Sequence, residues 1–290
     1  MGAGIVRNRV FLLSDKVYLL DMENGTEIWS YSSPFKNAGR TSPVYDDQLN
    51  RLFVVFDKGI IAALDFNNGS EIWLKSLSES PGCSPLLSKY FYVIAKDGKL
   101  YAFDKQNGNS IWVKTLEESS FSAGSLAINK KYLFAGYKKS INCLNPENGN
   151  LIWKSLPDVY MEGTFGAVDD SRFYSISSDK IIALDINNGS ILWVFNLPTS
   201  NLTTTLTLHA DNVLVNGFKI FALKRTTGQF VWSKNGYAAP YGPITVSNNI
   251  AYFGYLDGAG LSALKLPGNY TGKTWNFYRS DLANSSYLPE

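Results

Sequence analysis

Seven tryptophans divide this chain into segments of nearly equal length. Successive gaps are 44, 39, 41, 40, 39 and 43 residues, and no other tryptophan occurs in the sequence. A repeat of this period is typical of solenoids and β-propellers, in which each copy is one supersecondary unit. The seven positions are Trp29, Trp73, Trp112, Trp153, Trp193, Trp232 and Trp275.

A glycine recurs four positions before each of the first six tryptophans. These glycines are Gly25, Gly69, Gly108, Gly149, Gly189 and Gly228, and a Leu or Phe precedes each tryptophan by nine positions. The seventh copy departs from the pattern, because Gly272 comes three residues before Trp275 and the segment PGNYTGK lengthens the loop. We therefore expect seven copies of one unit, the last with a longer turn.

Each copy has the pattern of four short strands. The second copy contains SPVY, RLFVVF, IIAALDF and EIWLKSL, separated by the polar segments DDQLN, DKG and NNG, which suit tight hairpins. No long segment keeps an apolar period of 3.6 residues without a turn signal. Four antiparallel strands in about 40 residues form one propeller blade. The sequence predicts an all-β, seven-bladed β-propeller.

The inner strands are almost continuously apolar, as expected where both faces of a blade pack against neighbours. A small residue faces the expected position of the indole ring, and the Asn-Gly pair supplies the positive φ of the hairpin. The small residues are Ala63, Ala102, Ala183, Ala222 and Ala263.

We interpret residues 1–290 as a single propeller domain. The predicted blades are approximately 1–34, 35–78, 79–117, 118–157, 158–198, 199–236 and 237–281, followed by a tail at 282–290. The first blade begins abruptly near Gly4, which favours a domain cut from a longer protein or a mature chain given a new Met. The tail either closes the propeller against the first blade or leads into a further segment.

Composition excludes several functions. The 27 basic and 25 acidic side chains leave no excess charge for binding nucleic acid. No apolar run is long enough for a membrane span, and the first residues do not have the pattern of a secretory signal. The only histidine, His209, lies in a predicted polar turn, and Cys83 and Cys143 are predicted to be buried free thiols.

The repeat resembles the pyrroloquinoline-quinone-like (PQQ-like) repeat, whose tryptophan-docking pattern is Ala-x-Asp-x-x-x-Gly-x-x-x-Trp. The second copy carries it as Ala63, Asp65, Gly69 and Trp73. The third and fifth copies carry it as Ala102, Asp104, Gly108, Trp112 and as Ala183, Asp185, Gly189, Trp193. The resemblance covers nearly the whole chain and implies the propeller fold.

For function the resemblance implies a non-enzymatic protein of the BamB-like branch. The family's quinoprotein alcohol dehydrogenases have eight blades, about twice this length, vicinal cysteines and a calcium ion, whereas this chain has seven repeats and two separated cysteines. We therefore expect no catalytic residue, no cofactor and no metal. Two alternatives remain open: a quinone- and calcium-dependent oxidoreductase with a site at the channel mouth, and a ligand-sensing domain of a larger receptor.

The expected binding site is the top face of the propeller, where the inter-blade loops and the loops between second and third strands meet. Charged loop residues and tyrosines there fit a docking surface for a protein or glycan partner, although such a ring is also typical of a solvated rim. The candidates are Arg40, Lys58, Lys96, Lys138, Lys139, Tyr160, Glu162, Tyr237 and Tyr241.

Glycosylation sequons suggest a location outside the cytoplasm or at the cell surface. The repeat itself explains three of the six, at Asn24, Asn68 and Asn188, whereas Asn201, Asn269 and Asn284 have no such explanation. Lysines on the predicted edge strands, such as Lys75, Lys114 and Lys154, would discourage pairing between chains and leave the oligomeric state open.

Overall fold

The protein is described here from a computed structural model. The structure describes residues 2–34, 41–116, 124–137, 140–155, 166–176, 180–197, 206–215, 219–235, 244–247, 249–254 and 261–267. Within these ranges the regular structure consists of β-strands and one 3-10 turn at Asp57–Gly59. The described residues contain no helix that is long and apolar enough to cross a membrane.

The first three sheets each contain four strands. The first sheet is β1 Gly2–Val6, β2 Arg9–Leu13, β3 Val17–Asp21 and β4 Glu27–Tyr31. The second is β5 Val44–Asp46, β6 Arg51–Val55, β7 Ile60–Asp65 and β8 Glu71–Ser76. The third is β9 Leu86–Leu87, β10 Phe91–Ile94, β11 Lys99–Phe103 and β12 Ser110–Thr115.

Four further sheets follow. The fourth is β13 Gly124–Ile128, β14 Leu133–Tyr137, β15 Ser140–Leu144 and β16 Leu151–Ser155. The fifth is β17 Ala167–Val168, β18 Arg172–Ile176, β19 Lys180–Asp185 and β20 Ile191–Asn196. The sixth is β21 Leu206–His209, β22 Asn212–Val215, β23 Lys219–Lys224 and β24 Phe230–Asn235. In the seventh, the described strands are β25 Thr245–Ser247, β26 Ile250–Gly254 and β27 Leu261–Lys265.

Every sheet is an antiparallel meander, because strands pair in the order in which they follow one another in the chain. This repeated arrangement is a seven-bladed β-propeller, as the sequence predicts. The chain divides into two compact units. The first runs to Leu126, contains Glu147–Gly149 and holds the first three sheets, and the second holds the rest from Ala127 onwards.

The core lies between neighbouring sheets within each unit. The inner strands are buried on both faces, so that β14 and β15 are buried along their whole length. Clusters of buried side chains join adjacent sheets, as Phe11 and Leu19 do with Leu52 in the first unit. The nearly continuous apolar runs in the sequence are therefore explained by burial on both faces.

The tryptophan on the fourth strand of a sheet lies opposite the alanine of the third strand, at a β-bulge. Ala63 pairs with Trp73, for example, and the register shifts between Ala63 and Leu64. The indole then reaches the turn of the following sheet, where Trp73 Nε1 donates to the carbonyl of Lys105 at 3.2 Å. The repeated glycine lies under this ring: a Cβ on Gly108 would come within 2.7 Å of Trp73. The glycine therefore serves the packing of the preceding blade as well as its own turn.

Candidate docking surface

Three of the loops predicted to bind partners belong to the second and third sheets. Residues 56–59 connect β6 to β7, and residues 95–98 connect β10 to β11. The segment 77–85, which joins β8 to β9, passes beside both of them. We call these three segments the loop layer.

Backbone hydrogen bonds tie the loop layer together. Leu77 N donates to the carbonyl of Gly59, and Lys96 N donates to the carbonyl of Ser80, both at 2.8 Å. Pro81 also forms an isolated antiparallel bridge with Ala95. A loop between blades and two loops between second and third strands therefore share one end of these sheets.

A polar cluster fixes the loop of the third sheet. Asp97 Oδ2 accepts hydrogen bonds from Ser78 Oγ at 2.5 Å and from Lys99 Nζ at 2.8 Å, and Ser78 Oγ lies 2.7 Å from the hydroxyl of Tyr101. Burial opposes ionisation of Asp97, but the hydrogen bonds from Lys99 and Ser78 outweigh it and lower the pKa of the carboxyl. A carboxylate with a lowered pKa is a weak base, so this cluster suits a structural role better than proton transfer.

Two of the predicted binding residues lie in the loop layer. Lys58 is exposed and adopts a left-handed backbone conformation, with φ of 63°, inside the 3-10 turn. Lys96 is half-buried, and its backbone is held by Ser80. The structure therefore brings Lys58 and Lys96 to the same end of adjacent sheets.

The other predicted site residues lie outside the described residues. They are Arg40, Lys138, Lys139, Tyr160, Glu162, Tyr237 and Tyr241, together with the sequon residues Asn201, Asn269 and Asn284 and the last repeat tryptophan, Trp275.

The fourth strands carry a row of exposed aliphatic side chains that was not predicted from the sequence. One such residue directly precedes each of the first six repeat tryptophans, and each is between 37% and 46% exposed. The fourth strand is also the terminal strand of each four-stranded sheet. The recurrence of an aliphatic residue directly before the tryptophan is the sequence signal from which this row could have been predicted. The residues are Ile28, Ile72, Ile111, Ile152, Leu192 and Val231.

The described histidine and cysteines occupy structural positions. His209 is buried at the end of β21, and its Nε2 lies 2.8 Å from Oδ1 of Asn249. Both cysteines are free thiols; Cys143 is buried, as predicted, but Cys83 is only half-buried because it lies in a surface loop. Burial raises the pKa of Cys143 to about 12, which makes its thiol unreactive at neutral pH. Among the described residues no group of three or more His, Cys, Asp or Glu side chains could hold a metal ion.

Successive meander sheets with an indole docked on the next blade define the class of PQQ-like repeat β-propellers. A family model described as "Outer membrane protein assembly factor BamB" matches residues 13–156 and 137–265. The chain belongs to this family, and the predicted resemblance to the BamB-like branch is confirmed.

Two relatives carry the same description. The protein from Shewanella oneidensis is 25% identical over 122 residues, which are 40% of this chain and 31% of the relative. The protein from Moranella endobia is 24% identical over 232 residues, which are 72% of this chain and 48% of the relative. The matched part of the chain therefore spans about half the length of these relatives or less.

Solved structures share the fold at low sequence identity. BamB from Moraxella catarrhalis superposes with a TM-score of 0.72 at 18% identity, over 94% of this chain and 87% of that one. The computationally designed Ika8 protein gives 0.61 at 16% identity, over 91% and 95%. A chain of the Mitotic Checkpoint Complex gives 0.71 at 10% identity, over 89% and 84%. Such distant matches establish the propeller fold.

Proposed function

We propose that this protein is a non-catalytic scaffold that binds other proteins during the assembly of the outer membrane, with the loop layer as one docking surface. Membership of the family of outer membrane protein assembly factor BamB supports this function. It also supports a location outside the cytoplasm. A protein partner is favoured over a glycan, since the family description concerns proteins.

One observation carries the choice of surface. In the loop layer, backbone hydrogen bonds connect the loops of two adjacent sheets, while Lys58 is exposed and Lys96 half-buried at their surface. A rigid loop layer loses little conformational entropy when a partner binds, and this favours affinity.

Site-specific photocrosslinking in the natural host tests this function. A photoreactive amino acid replaces Lys58 or Lys96, and each has a matched control on the opposite end of the same sheet. The controls are the exposed turn residues Asn67, after β7, and Gln106, after β11. We expect crosslinks to outer-membrane assembly proteins from positions 58 and 96 in excess over the controls. Equal crosslinking from both ends would refute the loop layer as the docking surface, and the absence of assembly proteins would refute the function.

A further inference from the structure

A pocket of about 260 Å³ lies on the side of the second unit where the first and third hairpin turns meet. It is formed by the turn before β18, the turn between β21 and β22 and the turn between β23 and β24. We call it the junction pocket. The residues that line it are Asp169, Asp170, Ser171, Arg172, Asp211, Arg225 and Thr226.

Asp169 forms the fixed wall of the junction pocket. Its Oδ1 accepts hydrogen bonds from the backbone N of Ser171 at 2.8 Å and of Arg172 at 2.7 Å. Its Oδ2 accepts a hydrogen bond of 2.8 Å from the hydroxyl of Tyr174. Since its oxygens are occupied by these partners, Asp169 is a structural residue rather than an open ligand.

The two arginines of the pocket are poorly satisfied by the described residues. Arg225 Nη1 lies 3.6 Å from Asp169 Oδ2, which is too long for a hydrogen bond. Arg172 Nη1 donates to Ser171 Oγ at 2.8 Å, but its Nε is buried and has no hydrogen-bond partner among the described residues. A buried donor without a partner is costly. Because Arg172 Nε has almost no accessible surface, a ligand in the pocket would accept from the terminal Nη atoms of Arg172 and Arg225.

The corresponding junction in the first unit has the same framework, but its charged side chains are paired more tightly. There Asp46 Oδ2 lies 2.6 Å from Lys105 Nζ, in place of the loose pair of Asp169 and Arg225. Arg51 begins β6 as Arg172 begins β18, yet its Nη1 donates to the carbonyls of Lys105 and Gln106 at 2.9 and 2.7 Å. In the first junction the arginine donates to two carbonyls, and Asp46 Oδ2 is the buried atom without a hydrogen-bond partner among the described residues; in the second junction it is Arg172 that keeps a spare donor.

We infer that the junction pocket binds a carboxylate group through Arg172 and Arg225. A planar guanidinium matches the two oxygens of a carboxylate, and charge-assisted hydrogen bonds are the strongest of their kind. Lys224 pairs with Asp211 at 3.2 Å, so this carboxylate opposes an anion less than a free one. The volume is below the roughly 300–1,000 Å³ of drug-sized sites and suits one side chain or a small acid.

The net charge of the junction pocket favours a carboxylate ligand over a phosphate ligand. With Lys224 included, the pocket has three acidic groups, on Asp169, Asp170 and Asp211, and three basic ones. A pocket without net charge binds a singly charged anion more easily than a doubly charged one. The exposed carboxylate of Asp170 repels each additional negative charge on the ligand. We therefore assign the pocket to a glutamate-like side chain or a free small monocarboxylic acid.

Nuclear magnetic resonance titration of the full chain, observing the arginine side-chain signals, tests the inference. The probes are N-acetylglutamate N-methylamide, its glutamine analogue as the neutral match, butyrate and inorganic phosphate. Saturable shifts with the glutamate probe and none with its glutamine match would indicate an acidic side chain of a polypeptide. Shifts with butyrate alone would indicate a free small acid. Equal binding of phosphate, or no saturable shift with either carboxylate, would overturn the inference.

Variants locate the binding. Arg225→Gln and Arg172→Gln are expected to weaken the glutamate probe about tenfold or more, because each removes charge-assisted donors. Arg51→Gln is the matched control and should leave binding unchanged, since Arg51 lies at the junction in the first unit and donates to a backbone carbonyl there. Asp170→Asn should strengthen binding a few-fold by removing a repulsive charge, a gain that unfolding could not produce. Unchanged affinity in Arg225→Gln would overturn the inference.

This inference does not depend on the proposed assembly function. The pocket lies in the second unit, whereas the loop layer lies in the first, and the titration uses small probes with purified protein. Failure of the crosslinking experiment would leave the titration result intact, and the reverse also holds.

Discussion

The indole Nε1 of Trp153 donates a 2.8 Å hydrogen bond to the carbonyl of Ile186. Trp153 lies on β16, and Ile186 follows β19 in the next sheet. The ring is 8% exposed and covers Gly189 of the same neighbouring turn. One side chain therefore joins two blades through packing and through a buried hydrogen bond.

Replacing Trp153 should reveal both contributions. Trp153→Phe keeps an aromatic ring but leaves the buried carbonyl of Ile186 without its N–H donor, and we expect a loss of about 2–3 kcal/mol in the free energy of unfolding. Trp153→Ala also loses the packing and should cost about 3–5 kcal/mol. Urea denaturation followed by circular dichroism measures both values. A loss below about 1 kcal/mol in Trp153→Ala would contradict this account.

The neighbouring residue provides a test of the exposed fourth strands. Ile152→Ser should change the free energy of unfolding by less than about 0.5 kcal/mol, because Ile152 is 43% exposed and lies at a sheet edge. The same urea experiment measures it. A loss as large as that of Trp153→Ala would mean that this side chain is covered in solution.

Two glycines with the same backbone conformation separate strain from packing. Gly25 and Gly189 have φ of 72° and 73°, but a Cβ at Gly25 would meet none of the described residues within 4 Å, whereas one at Gly189 would lie 2.5 Å from Trp153. Gly25→Ala should cost about 1–2 kcal/mol for the left-handed conformation. Gly189→Ala should cost about 1–3 kcal/mol more because it also displaces the indole. Equal losses in thermal denaturation would refute the packing role of the repeated glycine.

Adjacent aspartates form ion pairs of nearly equal length and very different burial. Asp46 lies 2.6 Å from Lys105 with 4% of its side chain exposed, whereas Asp47 lies 2.7 Å from Arg7 with 77% exposed. Asp46→Asn should cost about 2–4 kcal/mol, because it leaves a mostly buried lysine without its counter-charge. Asp47→Asn should cost less than about 1 kcal/mol. Unfolding free energies of both variants check this, and a larger loss for Asp47→Asn would contradict it.

The single histidine should give the protein a pH-dependent stability. Burial lowers the pKa of His209, although its hydrogen bond with Asn249 opposes the shift. Folding then favours the neutral ring, so stability is fully present above the unfolded pKa of about 6.5 and is lost as pH falls through the depressed folded value. His209→Gln should flatten the melting temperature between about pH 7 and pH 5. If the melting temperature of His209→Gln still changed with pH as in the unaltered protein, other titratable groups would be the cause of the pH dependence.

The fold class could be predicted from the sequence because its signals are local. Trp73, Gly69 and Ala63 belong to one copy, and their spacing is set by strand and turn lengths along the chain. The turn residues and apolar runs repeat with them, so seven copies predict seven blades. The roles of Asp46 and Asp169 are local as well, because both accept backbone hydrogen bonds within their own turns.

Contacts between blades were decided only by the tertiary structure. The repeat predicts where Arg51 and Arg172 lie in a blade, but the first meets two backbone carbonyls and the second leaves its Nε without a partner among the described residues. These partners are more than 50 residues away in the chain for Arg51, and they depend on how two sheets pack. Spacing along one copy therefore determines the propeller, whereas packing between copies determines which charges are satisfied and which remain available to a ligand.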